Sequence, residues 1–189
     1  MTPGTLVLVI GPSGAGKDTL IGMAREALAE DRRFLFPRRH VTRASDSNEP
    51  VEERTPEAFR REQAAGGFAL SWEAHGQLYG VPRGIEAALA QGKAVVVNVS
   101  RNVVAEALAT YACVVALAVT APAGVLAARL KQRGRESNDD IAARVSRAAA
   151  PLPSGLTVIT IENDATAAEA AGRFIAALHR IAAERHAEA

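Results

Sequence analysis

The chain has 189 residues, with 22 Lys and Arg against 21 Asp and Glu for a formal net charge of +1. That length suits one compact domain with a substantial core, and the charge balance argues against a dedicated duplex-binding surface, which carries a strong basic excess. Hydrophobic residues at 48% and charged residues at 23% describe a globular chain, and aromatics at only 4% leave the core to Ala, Val, Leu and Ile.

Thr5 to Ile10 is apolar and has no basic region ahead of it, so it reads as a buried first strand and not as a signal peptide. It runs straight into a glycine-rich turn, and a helix is expected from Gly16 to Glu30. The segment Phe34 to Gly84 then breaks the rhythm. It holds most of an arginine cluster (Arg32, Arg33, Arg38, Arg39, His40, Arg43), an acidic loop from Asp46 to Glu53, a short helix near Pro56 to Ala65 and an aromatic stretch from Phe68 to Tyr79. Nucleic acid would want aromatics interleaved with those arginines and a basic surround, and the acidic loop supplies the opposite.

Three more continuous apolar runs follow, Ala94 to Val99, Cys113 to Val119 and Leu156 to Ile161. Helical stretches separate them or follow: Asn102 to Thr110, Pro122 to Arg133, Asn138 to Ala150 and Ala165 to Glu184. Unbroken apolar strands alternating with helices predict a parallel sheet covered on both faces, an α/β fold. No apolar run nears the roughly 18–20 residues that cross a bilayer, so no membrane association is expected. The single cysteine, Cys113, excludes an internal disulfide or a multi-cysteine zinc site, fits a cytoplasmic protein and is expected in the core.

Gly11-Pro12-Ser13-Gly14-Ala15-Gly16-Lys17-Asp18 sits between a strand and a helix, the context that makes a glycine pattern a phosphate-binding loop. Its glycines let several N–H groups face one point, the helix N-terminus adds partial positive charge, and Lys17 reaches the β- and γ-phosphates. The residue after the lysine is usually Ser or Thr, whose hydroxyl touches Mg²⁺. Here it is Asp18, with Thr19 next. A carboxylate there either favours the helix dipole or holds Mg²⁺ directly or through water, because that ion prefers hard oxygens.

Gly11 to Leu20 resembles the opening of guanylate kinases, and further matches follow in the same order. Val41-Thr42-Arg43 resembles the segment that places an arginine on the acceptor phosphate. Phe68 to Gly80 is similar to the aromatic-glycine stretch, with Tyr79 at the matching tyrosine. Arg129 to Glu136, with Ile141 and Arg144, resembles the lid, and Glu162-Asn163-Asp164 the adenine-side loop. The resemblance implies a P-loop NTPase three-layer sandwich around a parallel central sheet, of the nucleoside-monophosphate-kinase type. Its core would be 1–33, 91–121 and 150–189, its acceptor-binding insertion 34–90 and its lid 122–149. It further implies that Arg133 and Arg144 act with Lys17 on the transferring phosphoryl group, Arg133 also flanking the adenine with Asn163 and Asp164. Arg129 is a weaker candidate.

The base-reading residues of guanylate kinases are missing. An ungapped match puts Leu70 at the glutamate position, Val81 where a small hydroxyl residue stands, Arg39 at the serine position and Asp46 at a second acceptor arginine. The carboxylate-bearing turn after the central strand becomes Asn98-Val99-Ser100-Arg101. Leucine would leave guanine donors unpaired at about 1–3 kcal/mol each, whereas Arg39 beside Arg43 suits a phosphate. The full pattern, with GKD in the loop and Arg38-Arg39 ahead of Thr42-Arg43, resembles the ribose 1,5-bisphosphate phosphokinase family. That resemblance implies ATP and Mg²⁺, a sugar-phosphate acceptor held by Arg39, Arg43 and Tyr79, and transfer of the γ-phosphoryl to the 1-phosphate, giving 5-phosphoribosyl 1-diphosphate. The acceptor is already ionised, so no general base is needed, and neither His40 nor His75 is expected to act as one. A guanylate kinase with an altered base site and a non-catalytic interaction module are the alternatives. Oligomeric state is not legible.

Overall fold

A computed structural model describes residues 3–43, 49–133 and 152–187, without the side chains of 130–133 and 185–187. Five strands form a parallel sheet in the order β2 (Phe34–Leu35), β7 (Ala94–Asn98), β1 (Leu6–Ile10), β8 (Val114–Thr120), β9 (Thr157–Glu162). β1 lies in the middle, and all five of its residues have no exposed surface. Successive strand side chains point to opposite faces. Val7 and Val9 therefore join one core with Leu20, Ile21 and Ala24 of α1 (Lys17–Ala27) and Phe174 and Leu178 of α6 (Ala167–Ala187). Leu6, Leu8 and Ile10 join the other, with Ile85 and Leu89 of α3 (Ile85–Ala90) and Val104 and Ala107 of α4 (Val104–Thr110). Each fully buried aliphatic side chain contributes about 1.5–3 kcal/mol. Burial on both sides is why the strand reads as an unbroken apolar run.

A second sheet of four strands, in the order β4 (Glu52–Glu53), β3 (His40–Val41), β6 (Gln77–Pro82), β5 (Phe68–Ala74), accounts for the segment that interrupts the βα alternation. β5 and β6 make an antiparallel hairpin whose turn sets His75 at φ 53 and Gly76 at φ 69. Leu70, Trp72 and Val81 of this hairpin pack into the α3/α4 core, so the two sheets share apolar contacts. α2 (Pro56–Ala64) is capped by Thr55, whose hydroxyl accepts from the Ala58 N–H, with Pro56 in the first turn.

The four apolar strands, the helix near residue 56 and the described parts of the other expected helices stand where the sequence places them. The expected helix Asn138 to Ala150 lies outside the described residues. β2 adds a fifth parallel strand that sequence reasoning missed, because two residues carry no periodicity. Cys113 departs from the buried position expected of it. It lies just ahead of β8, is partly exposed, and its Sγ is 3.5 Å from Thr5 Oγ1. The strand becomes fully enclosed only further along, at Ala116 and Leu117.

Candidate active site

The loop Gly11 to Gly16 leaves the C-terminal end of β1 and enters α1. Gly11, Gly14 and Gly16 take φ values of 148°, 84° and 86°, a region that favours glycine. At Gly16 a Cβ would also stand 2.4 Å from Asn163 Nδ2. Gly16 is the N-cap of α1 and has no side-chain capping hydrogen bond. Among the described residues no capping side chain thus occupies this helix end, which suits it to an anion. Lys17 Nζ lies back along the loop and donates to the carbonyls of Gly11 at 2.8 Å and Pro12 at 3.0 Å. Thr19 is exposed in the same turn.

Two residues brace the loop from behind. Asn163, 4% exposed, donates from Nδ2 to the Ala15 carbonyl at 2.7 Å, while its buried Oδ1 has no hydrogen-bond partner among the described residues. Arg129, on α5 (Ala123–Arg133), points Nη1 at the Gly14 carbonyl and Nη2 at the Asn163 carbonyl, both at 3.4 Å. Arg129 thus has a direct link to the loop that its ranking in the sequence did not anticipate. Asp164 is exposed and pairs with Arg173 at 3.1 Å. The Arg133 side chain and Arg144 lie outside the described residues.

Asp18 Oδ1 accepts from Asn98 Nδ2 at 2.6 Å, and its other oxygen has no hydrogen bond among the described residues. Asn98 ends β7, in register with Val9 of β1, which is how a strand end comes to lie beside the loop. Among the described residues no three His, Cys, Asp or Glu side chains gather as a metal site. A lone carboxylate beside a phosphate loop fits Mg²⁺ nevertheless, since that ion is bound by one or two carboxylates plus substrate phosphates.

The Asn98 carbonyl also accepts from Arg39 Nη1 at 3.1 Å. Arg39 is 6% exposed and makes a two-pronged contact with Glu49, Nε to Oε1 at 2.7 Å and Nη2 to Oε2. Arg43 Nη2 approaches the same Oε2 at 3.6 Å. The Arg39 guanidinium stands 5.3 Å from the Tyr79 ring centroid and 5.8 Å from that of Trp72, and the two rings stack with 8° between their planes. Trp72 and Tyr79 are directly paired across β5 and β6, so the hairpin register builds this platform. The structure therefore brings Arg39, Arg43 and Tyr79 together, one residue removed from Asp18. Glu49 and Asn98 are the members that sequence reasoning missed. Glu49 reads only as part of an acidic loop, and Asn98 only as the loss of a carboxylate.

His40 is buried against Phe68 and its Nδ1 lies 3.0 Å from Glu62 Oε2, a carboxylate that also accepts from Arg54 Nε at 3.2 Å. Burial pushes the Glu62 carboxyl up, but the hydrogen bonds from His40 and Arg54 outweigh it and hold it below its ordinary range. This cluster ties α2 to the second sheet.

An uncapped phosphate loop beside the central strand of a parallel sheet in the order β2-β7-β1-β8-β9, with a second sheet carrying an arginine platform, defines a P-loop kinase of the nucleoside-monophosphate-kinase type. The fold agrees with a guanylate kinase from Anaplasma phagocytophilum, which superposes with a TM-score of 0.68 over 95% of this chain and 86% of that one, at 19% identity. In sequence the chain is 50% identical over 161 residues, 85% of its length and 81% of the relative's, to the ribose 1,5-bisphosphate phosphokinase PhnN of Rhodopseudomonas palustris. It is 48% identical over 177 residues to that of Methylobacterium radiotolerans, covering 93% of this chain and 98% of the relative. No family model matches. The chain belongs to the ribose 1,5-bisphosphate phosphokinase family.

Proposed function

We propose that this kinase transfers the γ-phosphoryl group of ATP to the 1-phosphate of ribose 1,5-bisphosphate, giving 5-phospho-α-D-ribose 1-diphosphate and ADP. In that transfer an oxygen of the acceptor's 1-phosphate forms a bond to the γ-phosphorus, the bond from that phosphorus to the bridging oxygen breaks, and ADP departs with the electron pair. The observation that carries the reading is the convergence of Arg39 and Arg43 on one carboxylate, linked through Asn98 to the loop-side Asp18. The oxygens Glu49 presents to the two guanidiniums are those a phosphate would present, since the guanidinium fork matches both anions. Leu70 is 1% exposed and packed in the core, so no side chain at that position hydrogen-bonds a purine.

The nucleophile is an ionised phosphate oxygen, and catalysis is positioning and charge stabilisation. The loop N–H groups and Lys17 hold the ATP phosphates. Arg133 and Arg144, carried over from the family resemblance, stabilise charge on the transferring group. Asn163 and Arg129 fix the loop, and Asn163 Oδ1 is an acceptor available to the adenine amino group. Mg²⁺, held by Asp18 and the phosphates, would neutralise charge on the β- and γ-oxygens. Tyr79 lines the acceptor side. His40 is committed to Glu62, in keeping with a reaction that takes no general base. Among the described residues no helix is long and apolar enough to cross a membrane, and the ligands are small phosphorylated molecules.

ADP release with ATP and Mg²⁺ tests this, comparing ribose 1,5-bisphosphate with GMP at equal concentration. Turnover with the bisphosphate alone, and a diphosphate product by phosphorus NMR, is the expected result. Phosphorylation of GMP at an equal or greater rate would make this a guanylate kinase.

A further inference from the structure

Asn98 spans the two halves of the site. Its side-chain amide donates to Asp18 Oδ1 at 2.6 Å, and its backbone carbonyl accepts from Arg39 Nη1 at 3.1 Å. The residue ends β7 directly beside β1, and β7 is buried from Ala94 to Val97, so the amide is delivered from a rigid strand end. P-loop nucleotide sites commonly hold Mg²⁺ with a hydroxyl after the lysine and a carboxylate contributed separately. Here the residue after the lysine is the carboxylate, and the neighbouring strand end carries a neutral amide.

We infer that Asn98 is a positioning residue that aims the Asp18 carboxylate at the metal-nucleotide through its side chain while anchoring the acceptor arginine through its backbone. An amide Nδ2 can only donate, so it orients a carboxylate in its charged form and leaves the second oxygen to a cation. A carboxylate at position 98 would instead set two like charges side by side, and alanine would let the Asp18 side chain rotate. Because the Arg39 contact uses the main chain, replacing the side chain should disturb the metal-nucleotide side and spare the acceptor side. The inference rests on the kinase reading above.

The test is Mn²⁺ binding in the presence of ADP, followed by electron paramagnetic resonance, for the wild type, Asn98→Ala, Asp18→Asn and the double variant. Metal-free ADP binding by thermal shift reports on the folded loop. Loss of an outer-shell partner typically weakens metal affinity by about 10–100-fold. That loss is expected for Asn98→Ala, with metal-free ADP binding kept and the acceptor KM changed by less than about twofold. In the Asp18→Asn background, Asn98→Ala should weaken Mn²⁺ binding no further. Unchanged Mn²⁺ affinity in Asn98→Ala, or an additive loss in the double variant, would overturn the positioning role. If Asn98→Ala does not fold, Asn98→Ser, with a shorter hydroxyl donor, takes its place under the same criteria. A wild type that binds neither ADP nor its Mn²⁺ complex would instead defeat the kinase reading itself.

Discussion

Arg39 is nearly enclosed and Glu49 is 9% exposed, so each meets its charge requirement through the other. A charge-assisted hydrogen bond contributes about 1.5–3 kcal/mol. Arg43→Ala should therefore lower kcat/KM for the acceptor about 10- to 100-fold, with the KM for ATP nearly unchanged, in steady-state assays. Glu49→Gln separates two roles of one contact. Breaking a buried pair destabilises by about 3–5 kcal/mol, so the unliganded variant should melt earlier. Relieved of a competing carboxylate, it should bind the acceptor more tightly and show a lower KM. A melting curve and an acceptor titration check both halves. These residues also mark how far a sequence can be read. Lys17, Arg39 and Arg43 are legible because their chemistry is local to a motif. Glu49 is not, because nothing in the spacing says which of the acidic residues between 46 and 53 turns inward.

At the scale of elements, the loop and α1 depend on a backbone that only glycine adopts easily. Gly16→Ala would place a methyl group 2.4 Å from Asn163 Nδ2 at a φ of 86°. The loop should then pull away from Asn163, and the variant should lose its stabilisation by ADP, about 2.7 kcal/mol for the wild type at a hundredfold excess over Kd. Thermal melting with and without ADP reads this directly. The central strand of the parallel sheet was visible in sequence because both its faces are buried, so Leu6 to Ile10 carries no polar interruption, whereas β9, read as an equally apolar run, leaves Val158 40% exposed at the sheet edge. The second, mixed sheet was visible only as an irregular insertion. Its strands β3 and β4 are two residues each, and their pairing is long-range, His40 with both Glu52 and Gly80.

For the molecule as a whole, the attachment of α2 to the second sheet is pH-dependent through Glu62. Its folded pKa lies below the ordinary 4.5, so the stability it contributes is present above that value and is lost as pH falls through the folded one. Acid unfolding of Glu62→Gln should accordingly be less steep below about pH 4.5 than that of the wild type, measured by circular dichroism, while at neutral pH the variant is the less stable of the two. The site itself draws on both sheets. Its nucleotide side comes from one strand-to-helix turn and its acceptor side from arginines flanking β3 and from a hairpin further along the chain, so no local pattern could reveal that Asn98 joins them. The shared carboxylate of Glu49 also sets how the acceptor arrives. The Glu49 carboxylate between two guanidiniums already offsets part of the positive charge that the resting pocket shows to passing anions. Attraction at a distance is muted, and capture waits for an anion strong enough to evict the carboxylate. Association of the bisphosphate should then depend only weakly on ionic strength, and monoanions at cellular abundance should find the door already occupied.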